Sequence, residues 1–161
     1  MAQLALDDRD LQILAVLSRE GRISKTELAR RVNLSATPCW ERMKRLEQAG
    51  LIRGYRAEVA LARIAAHVVV FVMVELDSHR TESFQAFERA VARQDEITAA
   101  WAIGGGFDYL LQVVTRDIDS YQRLIDGLLA AHLGVRRYFT YVVTKEAKAG
   151  PPPLAALVAE E

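Results

Sequence analysis

The stretch Ser35–Gly50, SATPCWERMKRLEQAG, decides the fold of the first third of the chain. Cys39, Met43 and Leu46 recur at helical spacing and predict an inward stripe. Ser35 is placed to cap the helix, and Pro38 falls in its first turn, where a missing N–H costs little. Ala49-Gly50 supplies a C-terminal stop after about Gln48. The opposite face presents Thr37, Trp40, Glu41, Lys44 and Arg45. Working upstream, Asn33-Leu34-Ser35 reads as a tight turn, preceded by a short helix over 25–32 capped by Ser24, with Leu28 and Val32 inward. A longer helix over 6–20 has Asp7 as N-cap, an apolar face of Leu11, Ile13, Leu14 and Leu17, and a stop at Gly21. Downstream, Leu51–Val59 alternates like a short hairpin with Arg53-Gly54 near its tip. Three helices and a hairpin within about sixty residues outline a winged helix-turn-helix.

The polar face of the third helix suits a duplex. Its N-terminal half would enter the major groove, where Ser35 and Thr37 can donate to phosphate. Arg42, Lys44 and Arg45 can meet phosphate or read guanine. Glu41 can accept from a cytosine amino group or pair with Arg45. Trp40, beside these basic groups, suits a thymine methyl or the sugar backbone. Pro38 belongs to the same surface. Arg53 and Arg56 on the hairpin are either wing contacts to phosphate or solvated charge. Net charge is zero over 161 residues, with 21 basic and 21 acidic side chains. Its distribution is uneven: ten Lys or Arg face four Glu between Arg19 and Arg56, whereas 61–161 carry ten basic and thirteen acidic residues. That asymmetry favours two domains with different partners.

After a linker around 60–64 the pattern changes. His67–Leu76 reads as a strand whose unbroken apolar run implies burial on both faces. A helix over 81–93 has Phe84, Phe87 and Val91 inward. Glu96–Ile103 and Tyr109–Thr115 are strands joined by a glycine-rich turn. A second helix over 118–132 has Tyr121, Leu124, Leu128 and Leu129 inward, and Arg136–Lys145 is the last strand. The order βαββαβ is the ferredoxin-like unit. Both helices would lie on one face, so the other needs a partner, by sheet-to-sheet or edge-strand dimerisation. The tail from Gly150, with three consecutive prolines, reads as extended and flexible.

The loop Gly104-Gly105-Gly106-Phe107-Asp108-Tyr109 has two readings. Its amides could converge on a carboxylate while Asp108 accepts from an ammonium group, which together would hold a free amino acid. Alternatively it is a hairpin turn with Asp108 capping it. Trp101 and Phe107 either line such a pocket or belong to the core. His67, His79 and His132 are too scattered for a metal site, and Cys39 reads as packing rather than redox chemistry. No cofactor fingerprint and no nucleophile–base arrangement appears. The longest apolar run, Val68–Val74, is too short to span a bilayer, and no signal segment opens the chain, so a cytoplasmic protein is expected.

The segments LDDRDLQIL, ELARRVNLSATPCWERMKRLEQAGLIRGY and GGGFDYLLQVV…TYVVTKEAK together resemble the Lrp/AsnC family of feast/famine regulators, over residues 6–148. The connection ALARIAAH departs from the family's usual proline and glycine. The resemblance implies an α+β protein: a winged helix-turn-helix over 1–60, a ferredoxin-like βαββαβ α/β-sandwich for effector binding and oligomerisation over 61–148, and a tail over 149–161. It implies a non-enzymatic regulator bound to double-stranded DNA, built from homodimers that assemble into tetramers or octamers. An amino-acid effector would sit at the loop Gly104–Tyr109, bordered by Trp101 and Thr140. Gly106 stands where many members have a polar or acidic residue, so effector identity does not carry over. Two alternatives stand beside this reading, an architectural DNA binder without effector and a sirohaem-decarboxylase-like enzyme.

Overall fold

The computed structural model describes residues 5–158; the ends of the expected first domain and tail, 1–4 and 159–161, lie outside them. In chain order the elements are α1 (Asp8–Leu17), α2 (Lys25–Arg31), α3 (Ala36–Gln48), β1 (Val68–Leu76), α4 (Thr81–Val91), β2 (Ile97–Ala102), β3 (Tyr109–Thr115), α5 (Ile118–Ala130), β4 (Val135–Val142) and α6 (Leu154–Val158), with a 3₁₀ turn over Leu61–Arg63. The chain divides into two compact units, one of residues 5–59 with 148–158, the other Ala60–Ala147.

In the first unit each helix starts where the sequence places a cap. Asp7 accepts from the Asp10 amide, and the Asp10 carboxylate returns the bond to the Asp7 amide, a reciprocal box. Ser24 accepts from the Glu27 amide. Ser35 occupies the N-cap of α3 with extended backbone, but its hydroxyl makes no capping bond. Asn33, at φ 52°, turns the chain between α2 and α3, and the Leu34 amide closes back on the Ala29 carbonyl. Ile13, Leu28, Ala29, Val32, Cys39, Met43 and Leu46 form the core, with Leu14 and Leu17 half-buried around it. Burial pushes the Cys39 thiol pKa up, in keeping with a packing role.

Two expectations for this unit need correction. Residues 51–60 form no hairpin: no strand is assigned there, and among the described residues the ladder belongs to the other unit. The segment instead has no regular structure and is anchored by Tyr55, whose hydroxyl donates to Glu47 and whose ring lies beside Gly21. With no neighbouring strand, the alternation of Leu51–Val59 has nothing to pair against. The tail is also not wholly extended. Pro152 and Pro153 supply carbonyls that start α6, which lies along α1; proline, lacking an N–H, suits a first helical turn.

In the second unit the four strands form an antiparallel sheet in the order β2-β3-β1-β4. Val70, Val72, Val74 and Leu76 of β1 pack with Leu111 and Val113 of β3 under Phe87 and Val91 of α4 and Tyr121, Ile125 and Leu128 of α5. Both helices therefore cover one face. On α5, Ile125 takes the inward position expected of Leu129, which is exposed. Burial of β1 alternates rather than persisting: Val69, Phe71 and Met73 face away from the helices and are half-buried. The run is apolar throughout, but within one protomer a single layer of helices covers a single side. Register places Trp101, Leu110, Met73 and Phe139 in one row across the uncovered side. Trp101 and Phe139 are each 45% exposed, and Tyr141, beside Phe71, is 52% exposed.

Candidate DNA-reading surface and effector loop

The buried stripe of α3 fixes which side chains it offers outward. Ser35, Thr37, Pro38, Trp40, Glu41, Lys44 and Arg45 are all exposed, whereas Arg42 is half-buried. The Ser35 hydroxyl, free of capping duty, and the Thr37 hydroxyl stand at the helix N-terminus, where unpaired amides favour an anion. Arg53 and Arg56 are exposed on the segment after α3 and join no ion pair among the described residues.

Arg42 and Arg45 are not free cations. One Arg42 Nη1 donates to both Asp7 carboxylate oxygens at 2.8 and 2.6 Å and to Asp10 Oδ1 at 2.9 Å. Arg45 Nη2 donates to Asp10 Oδ2. The capping bond from the Asp10 amide and then the Arg42 guanidinium lower the Asp7 pKa, and the bonds to the Asp7 and then the Asp10 carboxylate raise that of Arg42. Glu41 is thus not the partner of Arg45. Two residues outside the set expected from sequence meet its side chains. Asp10 is completely buried, and Lys25, first in α2, holds its Nζ 3.2 Å from the centroid of the Trp40 ring. Neither follows from local periodicity, because each partner lies fifteen or more residues away; the D-x-x-D and R-x-x-R spacings are the faint trace of the first.

The glycine loop follows β2. Among the described residues the amides of Gly104 to Phe107 make no backbone hydrogen bond, and a Cβ on any of the three glycines would meet nothing within 4 Å. Only Gly105, at φ 122°, needs glycine for its backbone. Phe107 packs edge-on to Phe139 at 5.4 Å, under the Arg137 guanidinium at 5.3 Å. Trp101 and Phe139 share the uncovered face of the sheet.

Three of the candidate effector residues are engaged within the fold. Asp108 is a structural clasp: Oδ2 accepts from the Leu76 amide at 2.8 Å, Oδ1 faces His79 Nε2 at 3.2 Å, and its own amide donates to Val74. Tyr109 is 4% exposed on the helix-covered face, packed on Phe87 with its hydroxyl on Glu88, and burial raises its pKa. Thr140 pairs across from Val72, also on the helix side, and meets the Tyr121 hydroxyl at 2.5 Å. Strand alternation separates Tyr109 and Thr140 from the side to which Trp101 and Phe107 belong. Among the described residues no three His, Cys, Asp or Glu side chains converge as metal ligands, and no helix is long and apolar enough to cross a membrane.

Comparison with known proteins agrees with this geometry. A model described as winged helix-turn-helix DNA-binding matches residues 6–53, and one described as the Lrp/AsnC ligand binding domain matches 69–153. The chain is 49% identical over 145 residues to the transcriptional regulatory protein DoeX of Halomonas elongata, covering 90% of this chain and 92% of that one. It is 41% identical over 143 residues to the leucine-responsive regulatory protein of Escherichia coli, covering 89% and 87%. A transcriptional regulator from Neisseria meningitidis, solved as an L-Met complex, superposes with a TM-score of 0.88 at 32% identity, covering 96% of this chain and all of that one. Two domain matches in the right order, with relatives sharing both domains, leave one assignment: the chain belongs to the Lrp/AsnC family of DNA-binding transcriptional regulators.

Proposed function

We propose that this regulator reads DNA with Ser35, Thr37, Trp40 and Lys44 of α3, assisted by Lys25, Arg45, Arg53 and Arg56, and answers to a small amino acid held at the loop 104–107. The observation that carries the first half is the division of α3: Cys39, Met43 and Leu46 are buried while the polar side stands open. In a homodimer two such helices would enter successive major grooves of a pseudo-palindromic site.

The effector half rests on four amides without backbone partners beside aromatic surface from Trp101 and Phe107. Such amides suit a carboxylate, and the complex of the Neisseria meningitidis relative contains an amino acid. Asp108 anchors the loop to the end of β1 rather than meeting the ammonium group. The uncovered row Trp101, Leu110, Met73, Phe139 is where a second copy's sheet would pack, because an apolar face of this kind is costly in water. Dimers would assemble further into tetramers or octamers. The protein acts in the cytoplasm, where its DNA is, and performs no catalysis.

Calorimetric titration of the full chain with a panel of amino acids tests the effector half. Saturable binding of at least one, abolished by Gly105→Val, is expected. Absence of binding by every amino acid would favour the architectural alternative, and a haem absorbance change on adding sirohaem would favour the enzyme. Effector control of DNA binding requires different affinities for two states, typically worth about 1–3 kcal/mol.

A further inference from the structure

We infer that Asp10 is a positioning residue for DNA recognition, a buried carboxylate in the first turn of α1 that sets the angle of α3 and presents Arg45 to the duplex. The inference rests on the reading of α3 as the DNA-contacting helix. Asp10 has 0% exposure, yet both of its oxygens are engaged from α3: Oδ1 by Arg42 at 2.9 Å and Oδ2 by Arg45. Oδ2 also accepts from the Asp7 amide at 3.2 Å, so the same carboxylate closes the cap of α1. Arg42 and Arg45 stand one turn apart, and gripping both from one point resists rotation of α3 about its own axis.

Well-packed apolar residues in place of the whole Asp10–Arg42–Arg45 group would stabilise this spot about as well, because taking a carboxylate out of water offsets most of what the ion pairs contribute. What the charge supplies is direction. The Arg45 side chain remains 46% exposed, and a guanidinium carries five donors of which Asp10 occupies few. Its outward donors are therefore held in a fixed plane at the DNA-facing side instead of sweeping through solvent. Arg42, at 29% exposure and bound to two carboxylates, is the inner half of the grip. Together the pair couples the capping of α1 to the aim of α3.

The test compares Asp10→Asn with the wild type on two duplexes of equal length, one carrying the site that the wild-type protein selects from a random pool, the other scrambled. Asparagine keeps the shape and one acceptor but releases the guanidinium groups. Affinity for the selected site is expected to fall about tenfold or more, out of a specificity ratio of about 10³–10⁷, while affinity for the scrambled duplex holds or rises. Asp10→Glu, which restores the charge on a longer stem, is expected to recover part of the ratio. Should Asp10→Asn fail to fold, Arg45→Lys provides the same comparison, since it keeps the charge and loses the fork. Parallel losses on both duplexes would show a scaffold role alone and overturn the inference, as would unchanged binding to both. Lys44→Ala in the same assay separates the two levels. If it weakens both duplexes while Asp10→Asn weakens neither, only the positioning role fails; if Lys44→Ala is silent, the assignment of α3 fails and takes this inference with it.

Discussion

Replacing Lys44 by alanine removes a cation from the outward side of α3 without disturbing the packing beneath. Lys44 is exposed between buried Met43 and Leu46, and the ion pairs α3 makes among the described residues are those of Arg42 and Arg45. Every phosphate left without its lysine flattens the dependence of log affinity on log salt by about 0.9, so a dimer with two such phosphates should flatten by about 1.8. Between about 50 and 200 mM salt, a fourfold span, the wild type should lose about twelvefold more affinity than the variant. Arg42→Ala is the internal comparison. Its guanidinium is spent on Asp7 and Asp10, so removal leaves a buried oxygen short of a partner, about 1–3 kcal/mol of stability, with little change of salt slope in the folded protein. Fluorescence anisotropy on a labelled duplex at five salt concentrations, beside thermal melts, reads both. A wild-type slope for Lys44→Ala, or a flatter slope for Arg42→Ala than for Lys44→Ala, would refute the assignment of free and internally paired cations.

Three further outcomes follow from the second unit. Phe87, on the inner side of α4, is 1% exposed, so Phe87→Ala should cost about 3–5 kcal/mol, visible in calorimetry as a lowered transition for that unit. Met73→Arg places a charge in the middle of the uncovered row and should weaken dimerisation by about 2 kcal/mol or more, roughly 30-fold, in sedimentation at graded concentrations; an unchanged dimer would move the interface elsewhere. Asp117 caps α5 by accepting from Ser120, and those bonds, then Arg116, lower its pKa to about 2. A pKa lower in the folded state gives stability that is complete above the ordinary value of 3.8 and is lost as pH falls through about 2. The melting difference between wild type and Asp117→Asn should therefore be present at neutral pH and close as the pH approaches 2; a constant gap would exclude the carboxylate charge as its source.

The apolar periodicity made the elements legible. The stripe Cys39, Met43, Leu46 and the caps Asp7 and Ser24 placed α1 to α3 within a few residues, because those signals are local and the packing they anticipate is what forms. The ferredoxin-like order was legible for the same reason. What local pattern could not carry was facing and pairing. Tyr109 and Thr140 are effector candidates by sequence, yet strand parity turns both toward α4 and α5, and parity is known only once register is fixed. Leu51–Val59 alternates, but alternation names a strand only when a neighbour is there to pair. In sequence Asp10 is one of two acidic residues in the first turn of α1, and nothing within thirty residues reveals the two arginines that engage it.

The burial of Asp10 changes how much of the charge on α3 is free. Counted along the sequence, α3 offers three cations; in the folded unit Arg42 is matched by carboxylates from α1, and Arg45 is held by one while keeping half its surface. The unmatched positive charge passes to Lys44, to Lys25 stacked on Trp40, and to Arg53 and Arg56 beyond the helix. In the DNA reading proposed above, long-range phosphate attraction would come from these unmatched cations, and beside them stand oriented groups: a tryptophan with a lysine on one face, a guanidinium paired to a buried acid, and free hydroxyl groups at the helix start. There the unmatched charge would set affinity and its salt dependence, whereas oriented donors would discriminate sequence. On that reading the internal pairing of Arg42 and Arg45 would lower the non-specific pull of α3 and leave its selectivity to geometry.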